Sequence, residues 1–135
     1  MIWNGAQFVA VGGGGNILTS PDGVTWTNRI SGTSSQLNGV AAGGGKLLAV
    51  GNSAVTSLSS DLGATWTAST VSAAGTSNFN GVAYSPIANK FVAVGVGGAI
   101  HVYDPATAVW TAATANPTTP CSLMKSMKPF IYYQL

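Results

Sequence analysis

Three aspartates, Asp22, Asp61 and Asp104, are the whole acidic complement of this sequence, which has no glutamate, one histidine (His101) and one cysteine (Cys121). These are the residue types that could carry acid–base, nucleophilic or metal chemistry. One histidine and one cysteine cannot assemble a four-ligand zinc site, and a lone cysteine makes no internal disulfide. A glycosidase needs two carboxylates flanking one bond, whereas the three aspartates recur once per repeat of about 40 residues and belong on separate units. No nucleophile motif accompanies His101 or Cys121. His101 follows Ile100 at a strand position equivalent to Leu18, which favours a packed or rim histidine over a general base. The stretches Gly12-Gly13-Gly14-Gly15 and Gly95-Val96-Gly97-Gly98 are glycine-rich enough to suggest phosphate loops. Each lies between two strands rather than before a helix, and no Gly-Lys-Ser/Thr follows, so both read as hairpin turns. The basic residues Arg29, Lys46, Lys90, Lys125 and Lys128 are scattered, apart from the neighbouring Lys125 and Lys128, and the formal charge is +2, which leaves no footprint for the many phosphate contacts of nucleic acid. No catalytic residue, cofactor or metal is therefore expected.

The elements that would position these residues come from a chain of 135 residues, enough for one domain or for part of a larger assembly. Charged residues make up 6%, against about 25% in an ordinary domain, while 46% are hydrophobic and 18 are glycine. That composition excludes a coiled coil or a charged disordered tail. No apolar run reaches the roughly 18 residues of a membrane helix, and Met1-Ile2-Trp3-Asn4-Gly5 lacks the charged-then-apolar pattern of a signal peptide. Internal repeats dominate instead. Gln7-Phe8-Val9-Ala10-Val11-Gly12 returns as Lys46-Leu47-Leu48-Ala49-Val50-Gly51 and as Lys90-Phe91-Val92-Ala93-Val94-Gly95. Leu37-Asn38-Gly39-Val40-Ala41 recurs as Phe79-Asn80-Gly81-Val82-Ala83. Each unit holds four short apolar or Thr-rich runs separated by turn residues, with no run of helical period, so the repeat is all-β. In the middle unit, strands are expected near 38–42, 46–51, 54–59 and 64–69. The apolar run Leu47 to Val50 suits a sheet covered on both faces.

A second recurring element carries a family resemblance. Ser59-x-Asp61-x-Gly63-x-Thr65-Trp66 matches in full the Asp-box, or bacterial neuraminidase repeat, Ser-x-Asp-x-Gly-x-Thr-Trp. Ser20, Asp22, Gly23 and Trp26 form a copy one residue shorter, and Asp104 and Trp110 remain of a third. The chain resembles Asp-box β-propeller proteins over about residues 1 to 114. The resemblance implies a box that makes a turn between the third and fourth strands of each blade, remote from any catalytic face. Turn physics agrees: aspartate accepts backbone N–H groups, glycine supplies positive φ, and tryptophan packs under the hairpin. All three aspartates are then assigned to this one position of the repeat. A sialidase by the same resemblance needs three arginines and a tyrosine–glutamate pair. Arg29 is the one arginine here and glutamate is absent.

The fold expected is therefore an all-β partial propeller of about three four-stranded blades, near 1–32, 33–75 and 76–115, followed by a linker and strand-like tail at 116–135. Closed propellers have about four to eight blades, so completion through self-association or docking on other subunits is expected. Phe130, Ile131, Tyr132 and Tyr133 of the tail are candidate assembly contacts. The function expected is a non-catalytic structural or binding module of an extracellular or virion assembly, such as a phage tail or capsid accessory protein. The alternative is a lectin-like propeller that binds glycans on aromatics such as Trp3, Phe79, Tyr84 and Tyr103, and a remote one is a fragment of a propeller glycosidase.

Overall fold

The computed structural model describes residues 1–113. The linker, Cys121 and the candidate contacts Phe130 to Tyr133 lie outside the described residues. Twelve strands form three antiparallel sheets of four, each taken in chain order. The first contains β1 (Ile2–Trp3), β2 (Phe8–Val11), β3 (Ile17–Ser20) and β4 (Thr27–Arg29). The second contains β5 (Leu37–Gly43), β6 (Lys46–Gly51), β7 (Val55–Ser59) and β8 (Thr67–Thr70). The third contains β9 (Phe79–Ser85), β10 (Lys90–Gly95), β11 (Ile100–Asp104) and β12 (Val109–Ala112). This is the expected partial propeller. One boundary differs: the fourth strand of the middle sheet starts at Thr67 rather than near 64, because Ala64 to Trp66 are held in the box turn.

Side-chain alternation along the second strand explains the stacking. Leu47 and Ala49 join a buried cluster with Val9 and Ile17 of the first sheet, while Leu48 and Val50 join Phe79, Phe91 and Ala93 of the third. A strand whose two faces both bury apolar groups needs no polar alternation, which is why these runs read as continuous hydrophobics. Each sheet thus has a leading face, turned toward the sheet that follows in sequence, and a trailing face turned toward the one before. The first strands of successive sheets converge: a Cβ on Gly39 would lie 3.1 Å from Gly81 Cα.

The linkers between sheets are latched rather than loose. The Gln36 carbonyl accepts the Asn52 N–H at 2.9 Å, and the Asn78 carbonyl accepts the Val96 N–H at 2.9 Å. This latch accounts for the glycine that ends each Ala-Val-Gly run. A Cβ on Gly51 would sit 2.0 Å from Gln36 O, and one on Gly95 2.2 Å from Asn78 O, whereas one on Gly12 would meet nothing within 4 Å among the described residues.

Candidate functional site

The middle box builds its turn around one carboxylate. Ser59 Oγ donates to Asp61 Oδ1 at 2.8 Å, the Thr65 N–H donates to the same oxygen at 2.9 Å, and the Thr65 hydroxyl donates to Oδ2. The Gly63 N–H donates to Ser59 Oγ at 2.9 Å, and Trp66 Nε1–H closes the hairpin on the Gly63 carbonyl at 3.0 Å. Gly63 takes φ of +95°, which an L side chain would resist. These donors hold the Asp61 carboxyl down to about 2, the Thr65 hydroxyl first among them. The first box repeats the arrangement. Val24 and Thr25 donate their N–H groups to Asp22 Oδ1, each at 2.8 Å, Ser20 Oγ donates to it at 3.0 Å, and the Gly23 N–H reaches Ser20 Oγ at 2.8 Å. Trp26 Nε1–H donates to the Gly23 carbonyl at 3.2 Å. The Asp22 carboxyl is likewise held below its usual range, by the Thr25 N–H above all.

The third copy corrects the sequence reading, because Asp104 does not occupy the box-aspartate position. Strand register pairs Ser20 with Phe8, Ser59 with Leu47 and Tyr103 with Phe91, so Tyr103 stands where the other boxes have serine. Asp104 therefore matches Ser60, one residue before Asp61. It belongs to β11, pairs across to Val109, and forms an ion pair with Lys90, just as Lys46 Nζ donates to Ser60 Oγ at 3.0 Å one sheet earlier. Lys90 is the main cause of its lowered carboxyl pKa. A tyrosine cannot place its hydroxyl where the serine Oγ sits, and Tyr103 instead packs against Phe91 and Trp110.

The tryptophans separate by neighbour rather than by turn. Trp66 faces the first sheet and is 8% exposed, whereas Trp26 makes the same turn contact with no sheet of the described residues in front of it and is 37% exposed. Trp110 packs, partly buried, against the cluster between the second and third sheets. Phe79 and Tyr103 are interior, and Tyr84 packs on Phe91 with ring centres 4.8 Å apart and planes tilted by 52°. Trp3 makes the matching pair with Phe8, at 4.9 Å, and remains 53% exposed. His101 is 5% exposed, lies edge-on to Phe79 at 5.6 Å, and has no hydrogen-bond partner for either ring nitrogen among the described residues. It is packed rather than at the rim, and the structure brings no aspartate to it.

Two kinds of concave surface remain. Along the first strands, Ile2, Val40, Ala42, Val82 and Tyr84 line a groove of about 210 Å³. An adjoining hollow of about 220 Å³ shares Trp3 and Ala42 with it and has Asn4 and Lys46 at its wall. At the outer rim, one groove of about 330 Å³ lies beside Trp66 between β4 and the second box. Its counterpart of about 170 Å³ lies beside Trp110 between β8 and β12. Sequence reading named Trp3 and Tyr84 but not these grooves, since no residue-type signal marks a surface made by the meeting of separate sheets. No three His, Cys, Asp or Glu side chains come together as a metal-binding set among the described residues, and no helix there is long and apolar enough to cross a membrane.

No protein-family model matches the chain, and no curated protein does. Among solved structures, YCF48 from Cyanidioschyzon merolae is similar over 84% of this chain with a TM-score of 0.68 and 24% identity. A structure titled YCF48 bound to D1 peptide is similar over 78% with a TM-score of 0.65 and 18% identity. The chain spans about a third of the length of either, 34% and 36%. At these identities the likeness is one of fold, and the described residues are three successive blades of a β-propeller.

Proposed function

We propose that this chain is a non-catalytic propeller module that works by binding other polypeptides within a larger extracellular or virion assembly. The observation that carries the reading is the groove along β1, β5 and β9. Each of these strands is the end strand of its sheet, so its free edge offers unpaired N–H and C=O groups beside an apolar floor. An extended peptide satisfies such an edge with main-chain hydrogen bonds, and side-chain hollows give it register. That a propeller of the same fold, YCF48, is described with a peptide bound supports a peptide as the ligand class. The non-catalytic part draws support from the carboxylates, of which Asp22 and Asp61 are engaged by their own turns and Asp104 by Lys90.

Panning a random linear peptide library against the full chain, followed by fluorescence anisotropy on the selected peptides, tests this. Saturable binding that weakens at least about tenfold in Ala42→Trp, with the melting temperature unchanged, is the expected result. Peptides that bind equally well to the filled groove, or no selected peptide at all, would remove the reading. A carbohydrate-binding role takes separate support from the two rim grooves, which recur beside a box tryptophan at successive blade boundaries. A glycan array on wild type and Trp66→Phe distinguishes it, since only rim binding would respond to that change.

A further inference from the structure

The two interfaces between blades differ at one position of the repeat. Register pairs Trp3 with Phe8, Ala42 with Leu47 and Tyr84 with Phe91, so Trp3, Ala42 and Tyr84 are equivalent. Where the second blade meets the third, a ring fills this place. Tyr84 lies over Gly43 of the second blade so closely that a Cβ there has no room. It packs on Phe91 at 4.8 Å, and its hydroxyl donates to Asn89 Oδ1 at 2.7 Å. Where the first blade meets the second, the same position holds Ala42, which has no ring to offer.

The space left over is the hollow of about 220 Å³ that adjoins the inner groove. Its walls are the counterparts of those that hold Tyr84. Asn4 stands where Gly43 does one blade later, and Leu47 stands where Phe91 does. Leu62 of the second box forms an outer lip, 55% exposed. Hydrogen bonds across the two blades fix this frame. The Leu62 carbonyl accepts Gln7 Nε2–H at 2.7 Å and Asn4 Nδ2–H at 3.3 Å, while Asn4 Oδ1 accepts the Ala6 and Gln7 N–H groups at 2.9 and 2.8 Å. Lys46 is the charged residue of the wall, and its Nζ is engaged by Ser60 Oγ at 3.0 Å. An apolar cavity of about 150 Å³ takes benzene, so one aromatic ring fits the hollow.

We propose that the hollow is an anchor pocket for the ring of a phenylalanine or tyrosine in a bound partner peptide, seated as Tyr84 is seated one blade later. The inference rests on the peptide reading of the inner groove, with which the hollow shares Trp3 and Ala42, and adds the side-chain class that the reading leaves open. The repeat itself identifies the occupant, because the chain closes the equivalent space at its next interface with an aromatic ring. The ring rather than the hydroxyl carries the recognition. Gly45 precedes Lys46 as Asn89 precedes Lys90, both with positive φ, and glycine has no side chain to accept a phenolic hydrogen.

N-acetyl-tyrosinamide titrated into the full chain, followed by amide chemical shifts in nuclear magnetic resonance, tests the pocket without any peptide. Saturable shifts at Asn4, Gly45 and Leu62 are expected, with N-acetyl-leucinamide binding at least about fivefold more weakly. Ala42→Tyr should abolish these shifts and raise the melting temperature, since the chain then fills the hollow itself. If that variant does not fold, Leu62→Gly, which removes the lip at a φ of +64°, should weaken binding instead. Equal binding of the two amides, or shifts that survive Ala42→Tyr, would overturn the proposal. So would saturation seen only after Phe130, Tyr132 and Tyr133 are all changed to alanine, which would make the chain's own tail the occupant. Peptides from the library that Ala42→Trp excludes, yet that lose less than about twofold when their aromatic residues become leucine, would overturn the ring assignment and leave the peptide reading standing. If no peptide is selected, the amide titration decides the pocket alone.

Discussion

Trp26 and Trp66 are the same residue in the same turn, and the difference in their surroundings sets how much each contributes. Removing the Trp66 ring opens a cavity between two blades, so Trp66→Ala should cost about 3–5 kcal/mol by chemical denaturation. Trp26→Ala should cost well under half of that in the monomer, because its ring already meets water. The Asp61 carboxylate gives the turn a pH dependence. Its pKa of about 2 lies below the ordinary 3.8, so the folded state binds that proton more weakly than the unfolded chain. Its contribution is complete above roughly pH 4 and is lost as pH falls toward 2. Melting curves of wild type should therefore fall steeply over that interval, and those of Asp61→Asn should fall less steeply from a lower plateau. His101 makes the opposite kind of case, with two ring nitrogens buried and unpartnered among the described residues. An unsatisfied buried polar group costs about 1–3 kcal/mol, so His101→Leu, the residue type that the first blade has at this position, should raise the melting temperature.

At the scale of strands and linkers, the glycine ending β6 is required by a neighbour's backbone rather than by its own dihedrals, which are extended. Gly51→Ala would drive a methyl into the Gln36 carbonyl and should lower stability by more than about 2 kcal/mol, while Gly12→Ala should be nearly neutral. Parallel urea titrations of the two variants compare them directly. The same positions mark what the sequence could tell. Three copies of an apolar run ending in Ala-Val-Gly, each followed by turn residues, made four-stranded units legible, because strand period and turn chemistry are local properties. Register was less legible. Asp104 looked like a box aspartate until pairing with β10 and β12 put it one residue early, beside Lys90. The late start of β8 was hidden for a related reason, since Thr65 and Trp66 are good strand residues that the Asp61 carboxylate and the Gly63 carbonyl retain in a turn. The inner groove left no trace at all, being assembled from residues of all three sheets.

Across the described molecule, blades are held together by apolar clusters and by hydrogen bonds between uncharged groups, such as Gln7 Nε2–H to the Leu62 carbonyl and Asn38 Nδ2–H to the Phe79 carbonyl. The two interblade clusters consist of aliphatic and aromatic side chains, and Lys90 with Asp104 forms an ion pair within one sheet rather than between sheets. Raising sodium chloride from about 0.05 to 0.5 M, which shortens the screening length several-fold, should therefore move the melting temperature by no more than a degree or two. A strong loss of stability with salt would mean that charges outside these clusters hold the blades together.

The linker latches give the molecule a direction under load. The Gln36 and Asn78 carbonyls each grip the turn between the second and third strands of the blade that follows, while the Leu37 N–H bonded to the Gly12 carbonyl and the Ala54 N–H bonded to the Ser77 carbonyl tie the same linkers to the blade before. A chain pulled from its ends would meet shear resistance at each latch in turn and yield blade by blade, like a ratchet paying out line. Every release would free about 40 residues, on the order of 130–140 Å of extended chain, so that tension along the chain would be dissipated in discrete, equal steps.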